Sequence, residues 1–230
     1  MNKLIAKTAL ITAVILVALS VIWISLAALF SPAKFAQAAT GLGMYRTGAN
    51  FQEIAYTRRP TTENLGKLVD YAVAGKSNVL LVKYCPELMA ANDYAEYCSY
   101  RDGVDNGGLI TGAYAQYVNG SYAVALYRSG KKEDALAAVR LTVKDEYPTN
   151  NAAQYLLYEV IEREDEIVAE QLADYLNNLY LFLAQESPQT PSSEMTDIAK
   201  DQCIIYTLLL ESDPENEYYL DRMRFWVNRI

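Results

Sequence analysis

Two glutamates stand directly before a serine, at Glu186-Ser187 and Glu211-Ser212. A carboxyl so placed can act as the acid that protonates a glycosidic oxygen during cell-wall cleavage. Both pairs fall at the ends of apolar periodic stretches beside proline-containing loops, and neither is followed by a glycine-rich segment, so each reads as a polar helix exit. The chain has no histidine. That removes the commonest general base, the Ser-His and Cys-His nucleophile pairs, and most transition-metal sites. No phosphate-cradling GxxxxGK[ST] loop occurs, and the acidic run "EREDE" at Glu162 to Glu166 lacks the ligand spacing and central glycine of a calcium loop. Neither a cofactor nor a metal is expected, and the chain is read as a non-enzyme.

Three cysteines remain: Cys85, Cys98 and Cys203. They are too scattered for zinc or for a disulfide framework. Cys85 and Cys98 can meet if short helices fold back on each other, and an oxidising compartment then permits a bond; buried free thiols are the other reading.

Tyrosine is the outstanding component, with 19 residues, eight of them between Tyr84 and Tyr127. Tyr94, Tyr97 and Tyr100 recur at three-residue steps, as do Tyr114 and Tyr117, so each set projects from one side of a helix. Such rows either pack between helices with their hydroxyls at the wet edge, or line a surface that grips a partner peptide. Tyr94, Tyr97, Tyr114, Tyr117 and Trp226 of the last segment are the partner-binding candidates on the second reading. On the first, Trp226 closes the core.

What positions these residues begins with an uncharged apolar run from Thr8 to Phe30. As a helix rising about 1.5 Å per residue, a run of that length crosses a hydrocarbon layer of about 30 Å. Lys3 and Lys7 precede it, which predicts a short cytoplasmic tail at 1–7, a transmembrane signal anchor at 8–30 and an extracytoplasmic C-terminal part. The rival is a cleavable leader, since "AQA" ending at Ala38 has the small-x-small form, and the product would then be secreted. Residues 1–40 hold three lysines and no acid, so the chain's net −8 becomes −11 for the remainder. That field disfavours nucleic acid as a partner.

Residues 31–50 mix small and helix-breaking types and read as a tether. From 51 to 230 apolar residues recur at three- and four-residue steps and no strand alternation is sustained, so the domain is expected to be all-α. Glycine, proline and capping residues delimit helices near 51–59, 62–74, 77–85, 87–101, 109–129, 132–146, 151–163, 166–184, 194–210 and 214–228. Short connections make neighbours antiparallel, giving about five helix pairs with the period of an α-solenoid.

The segment Asn119 to Asn151 resembles a tetratricopeptide repeat. Ala123 stands where that family has the small residue of the first helix, followed by Leu126; Gly130 matches the corner glycine, Ala135 the alanine at the helix crossing, and Val139 the apolar residue one turn later. Pro148 is similar to the proline that ends the unit, one residue late. Asn119 and Thr142 depart from the pattern, in place of a large aromatic and an alanine. The resemblance implies a right-handed α-hairpin solenoid. Together with the expected anchor, it points to a membrane-anchored scaffold or adaptor for a protein or peptide in a bacterial cell envelope. A wall hydrolase or its accessory subunit, and a structural subunit of an envelope assembly, are the alternatives.

Overall fold

The computed structural model describes residues 11–22, 25, 30–106, 113–140, 151–186 and 193–230. Among the described residues every regular element is a helix. In chain order these are α1 (residues 11–22), α2 (Pro32–Gly41), α3 (Tyr45–Arg58), α4 (Thr62–Ala74), α5 (Asn78–Met89), α6 (Tyr94–Asn106), α7 (Ala113–Arg128), α8 (Lys132–Arg140), α9 (Asn151–Glu162), α10 (Glu166–Glu186), α11 (Ser193–Ser212) and α12 (Glu217–Val227). They divide into two compact units, Met1–Ser77 and Asn78–Ile230.

In the first unit, residues 31–50 are helical, which corrects the expected tether. Pro32 opens α2, where a missing N–H costs nothing. The small residues that suggested a linker instead let two helices cross closely. Ala36, Ala39 and Ala49 are buried, and a Cβ on Gly48 of α3 would lie 2.4 Å from Thr40 Cγ2 and 3.1 Å from the Ala36 carbonyl oxygen. Alanine and glycine pack here without the large apolar side chains that make periodicity visible. Phe35 and Phe51 add an edge-on ring contact at 4.5 Å. α4 begins at Thr61, whose hydroxyl accepts from Asn64 N at 3.2 Å, and buries Leu65, Leu68, Val69 and Ala72 at helical spacing.

α1 is apolar all round, and Ile11, Val14, Ile15, Leu16, Val17, Leu19, Val21 and Ile22 are all exposed. Among the described residues no helix is long and apolar enough to cross a membrane. The run 8–30, where the span is expected, lies partly outside them.

In the second unit α7 packs on α5, α6, α8 and α9, then α10 packs on α11 and α11 on α12. One apolar cluster runs through these contacts, with Leu126, Leu156, Leu172, Ile198, Ile205 and Trp226 among its buried members. Each such side chain removed from water is worth about 1.5–3 kcal/mol. Polar stitches join the helices: Gln154 Nε2 donates to Asp201 Oδ2 at 3.1 Å, and buried Gln202 Nε2 donates to the Ala173 carbonyl oxygen at 2.7 Å. The expected break at Cys85-Pro86 does not occur. Pro86 lies inside α5, and the turn comes at residues 90–93, after Ala90 N has bonded back to Pro86 O at 3.0 Å. Proline removes one backbone bond but leaves its own carbonyl able to continue the helix.

Four helices end in the same corner. At each, one N–H bonds back five residues, and its predecessor bonds back three and itself takes a left-handed φ. These residues are Gly43 (φ 76°), Lys76 (51°), Gly130 (81°) and Glu164 (52°). The paired bonds are Met44 to Ala39 and Gly43 to Thr40, Ser77 to Ala72 and Lys76 to Val73, Lys131 to Leu126 and Gly130 to Tyr127, and Asp165 to Val160 and Glu164 to Ile161. Gly43 and Lys76 are 33 positions apart, and Gly130 and Glu164 are 34 apart.

Candidate interaction surface

Tyr97 of α6 and Tyr114 of α7 are buried, with ring centroids 5.6 Å apart. The contact continues from Tyr114 to Tyr117 at 5.7 Å and from Tyr117 to Tyr155 of α9 at 6.4 Å. Arg101 braces the inner end: its guanidinium carbon lies 4.2 Å from the Tyr114 ring centroid, and its Nη1 donates to the Tyr97 hydroxyl at 3.2 Å. Asp102, also buried, accepts from Tyr114 N at 2.8 Å and caps the start of α7. Tyr97 and Tyr114 are therefore packing groups. The row surfaces at its far end, where Tyr155 is 42% exposed and Tyr158, one turn on, is 69% exposed. Gly120 makes room for this, since a Cβ there would stand 2.4 Å from Tyr155 Cδ2.

Tyr94 is half-buried, and burial pushes its phenol up, with Cys98 and Cys85 close by. The three cysteines are free thiols. Burial raises Cys85 to about 12, which makes it a poor nucleophile. Trp226 is 0% exposed and sits between the Tyr180 ring at 5.0 Å and the Phe225 ring at 4.9 Å. It closes the core and offers no face to a partner. Among the residues of the repeat resemblance, Ala123, Leu126, Ala135 and Val139 are buried and Gly130 takes the left-handed corner. Pro148 lies outside the described residues. Glu186 ends α10, and Ser187 is likewise outside them. Among the described residues no group of three or more acidic, cysteine or histidine side chains is placed to hold a metal ion.

A charged seam between two corners has no signature in the residue pattern. Arg128 Nη2 donates to Glu159 Oε2 at 2.6 Å and Arg163 Nε to Glu159 Oε1 at 2.9 Å. The Arg128 bond, foremost, holds the Glu159 carboxyl below its ordinary range. Asp165, inside the acidic run 162–166, accepts from the Tyr127 hydroxyl at 2.7 Å and from Lys132 Nζ at 2.6 Å. Burial works to raise Asp165, but these bonds and one from Val168 N outweigh it and leave the carboxyl lowered. Tyr127 moves the other way, raised by burial and by its bond to Asp165.

Near the C-terminus α10, α11 and α12 enclose an open cavity of about 190 Å³ lined by Glu170, Ala173, Asp174, Tyr206, Leu209, Tyr218 and Tyr219. Tyr206 is its buried wall, and the Tyr219 ring stands 6.1 Å from Tyr206 and 5.9 Å from Tyr218. The Tyr219 hydroxyl donates to Glu170 Oε1, and that bond pushes Tyr219 up to about 12. Tyr206 is raised by burial. Tyrosine spacing does not single out this group, because its members come from separate helices.

No protein-family model, no curated protein and no solved structure matches the chain. The fold is all-α, and its helix pairs are compatible with a helical repeat protein.

Proposed function

We propose that the chain is a membrane-anchored, tetratricopeptide-like scaffold whose right-handed helix pairs bind a protein or peptide segment at an extracytoplasmic surface. The observation that carries the binding reading is the exposed pair Tyr155 and Tyr158 at the end of an aromatic row that runs from buried Tyr97 and Tyr114 through half-buried Tyr117. Rigid aromatic rings backed by packed neighbours offer large contact area at small entropic cost. The 33- and 34-residue spacing of like corners supports the repeat reading, because a tetratricopeptide unit is about 34 residues long. Support for the anchor comes from α1: a helix apolar on every side has no polar face for water, and lipid suits it. Lys3 and Lys7 before the apolar run favour a cytoplasmic start, and an anchor of this kind raises the domain's effective concentration near other membrane proteins.

Crosslinking in native membranes followed by mass spectrometry tests the reading. A specific partner should be captured by the unaltered chain and lost from a Tyr155→Ala, Tyr158→Ala variant whose helical circular dichroism is unchanged. Undiminished capture by that variant refutes the tyrosine surface.

A further inference from the structure

Building on the scaffold reading, we propose that the cavity between α10, α11 and α12 receives a cationic side chain, lysine or arginine, from an exposed segment of the partner protein. The lining combines two attractions for such a group. Of its three tyrosines Tyr218 is exposed and offers a ring, Tyr219 is half-buried and Tyr206 is buried behind them, and Glu170 and Asp174 add carboxylates beside these rings. Ring faces and carboxylates both attract a cation, and a desolvated cation gains more from the rings than one in open water.

The surroundings keep the field negative. Glu166 and Asp213 are near enough to act on Tyr219 together with Glu170. Glu170 Oε1 is taken by the Tyr219 hydroxyl, which fixes the carboxylate while its other oxygen retains acceptor capacity. Among the described residues Asp174 has no ion-pair partner. One cation, Arg222, reaches the cavity wall through the Tyr206 hydroxyl, but it is not itself among the lining residues and is held from behind: its Nη2 donates to Asn177 Oδ1 at 2.7 Å, and its guanidinium carbon stands 5.1 Å from the Phe225 ring and 5.4 Å from Trp226.

Size selects the occupant further. A volume of about 190 Å³ falls below the roughly 300 Å³ at which sites for drug-sized ligands begin, and suits one side chain reaching in from a larger body. Anions are repelled.

The test uses the full chain in detergent with 13C-labelled tyrosine, titrated with N-acetyl-lysine-N-methylamide and, separately, with its arginine and norleucine counterparts. Saturable shifts of Tyr206, Tyr218 and Tyr219 are expected with the cationic amides, weakening in high salt, and none with norleucine. Asp174→Asn and Tyr218→Ala alter exposed side chains, and each should weaken binding roughly two- to fivefold. An equal response to norleucine, no response to either cation, or unchanged affinity in both variants overturns the proposal. The same shifts produced by raising protein concentration alone would assign the cavity to a second copy of the chain and also overturn it. Partner crosslinking that survives Asp174→Asn but not Tyr155→Ala, Tyr158→Ala removes the cavity from the interface and leaves the scaffold reading standing. If no partner is captured at all, the scaffold reading fails, while the titration still decides what the cavity binds.

Discussion

Three substitutions at left-handed and right-handed backbone positions should change stability with opposite signs. Gly130 adopts φ 81°, and a Cβ there would meet no other atom within 4 Å. Gly130→Ala therefore isolates backbone strain from packing. An L residue in this conformation costs about 1–2 kcal/mol, and the stiffer unfolded chain returns roughly 0.4–1 kcal/mol. The net expectation is a loss of about 0.5–1 kcal/mol. Gly103 has equally open space around its Cβ position but lies within α6, so Gly103→Ala should gain roughly 0.5–1 kcal/mol. Glu164 holds φ 52° with an exposed side chain, and Glu164→Gly should gain a similar amount by relieving the strain that alanine introduces at 130. For a domain of this size 1 kcal/mol moves the thermal midpoint by roughly 2–4 °C. Urea unfolding followed by circular dichroism measures all three, with the slope unchanged. If Gly130→Ala and Gly103→Ala shift the midpoint in the same direction, or Glu164→Gly lowers it, the strain argument is wrong.

Acid dependence should trace partly to Glu159. Its folded carboxyl is lowered by Arg128 and Arg163, so in the acid range the unfolded chain binds the extra proton; the stabilisation is present above the ordinary glutamate range and is lost as pH falls through the lower folded value. Glu159→Gln should cost about 1.5–3 kcal/mol near neutrality and flatten the dependence of unfolding free energy on pH below about 4.3, read from urea titrations at a series of pH values. Thiol chemistry should separate the cysteines: half-buried Cys203 reacts first with a thiol-specific reagent, while buried Cys85 and Cys98 react only as fast as their region opens. Immediate labelling of Cys85 in native conditions would contradict its burial.

Sequence reasoning found what local chemistry dictates. The limits of α4, 62–74, follow from Thr61 as cap and Gly75 as stop; Thr61 caps as expected, while Gly75 stays right-handed at φ −82° and the left-handed turn falls on Lys76. The Gly130 corner was legible because glycine announces a left-handed turn. The equivalent corners at Lys76 and Glu164 use residues that give no such signal; only the backbone bonds reveal them. Helix α2 and the first turns of α3 were hidden for a related reason, since Ala36, Ala39 and Gly48 contribute close contact instead of apolar bulk, while the rest of α3 coincides with the helix expected at 51–59. Tyr97 and Tyr114 were singled out by spacing, which fixes a shared helix face but not whether that face meets protein or solvent. Tyr218 and Tyr219 are sequence neighbours, but they meet Tyr206 of α11 and Glu170 of α10 only through tertiary packing, so no local pattern predicts their cavity.

Phe225 lies beneath two arginines, with the Arg229 guanidinium carbon 3.3 Å and that of Arg222 5.1 Å from its ring centroid. A stack of like modules is open-ended by construction, because the face that receives one module can receive a module from another molecule. A ring sheathed in guanidinium can be approached only by first displacing charge, so around Phe225 the helix α12 meets its surroundings as a cation and not as a bare apolar ring.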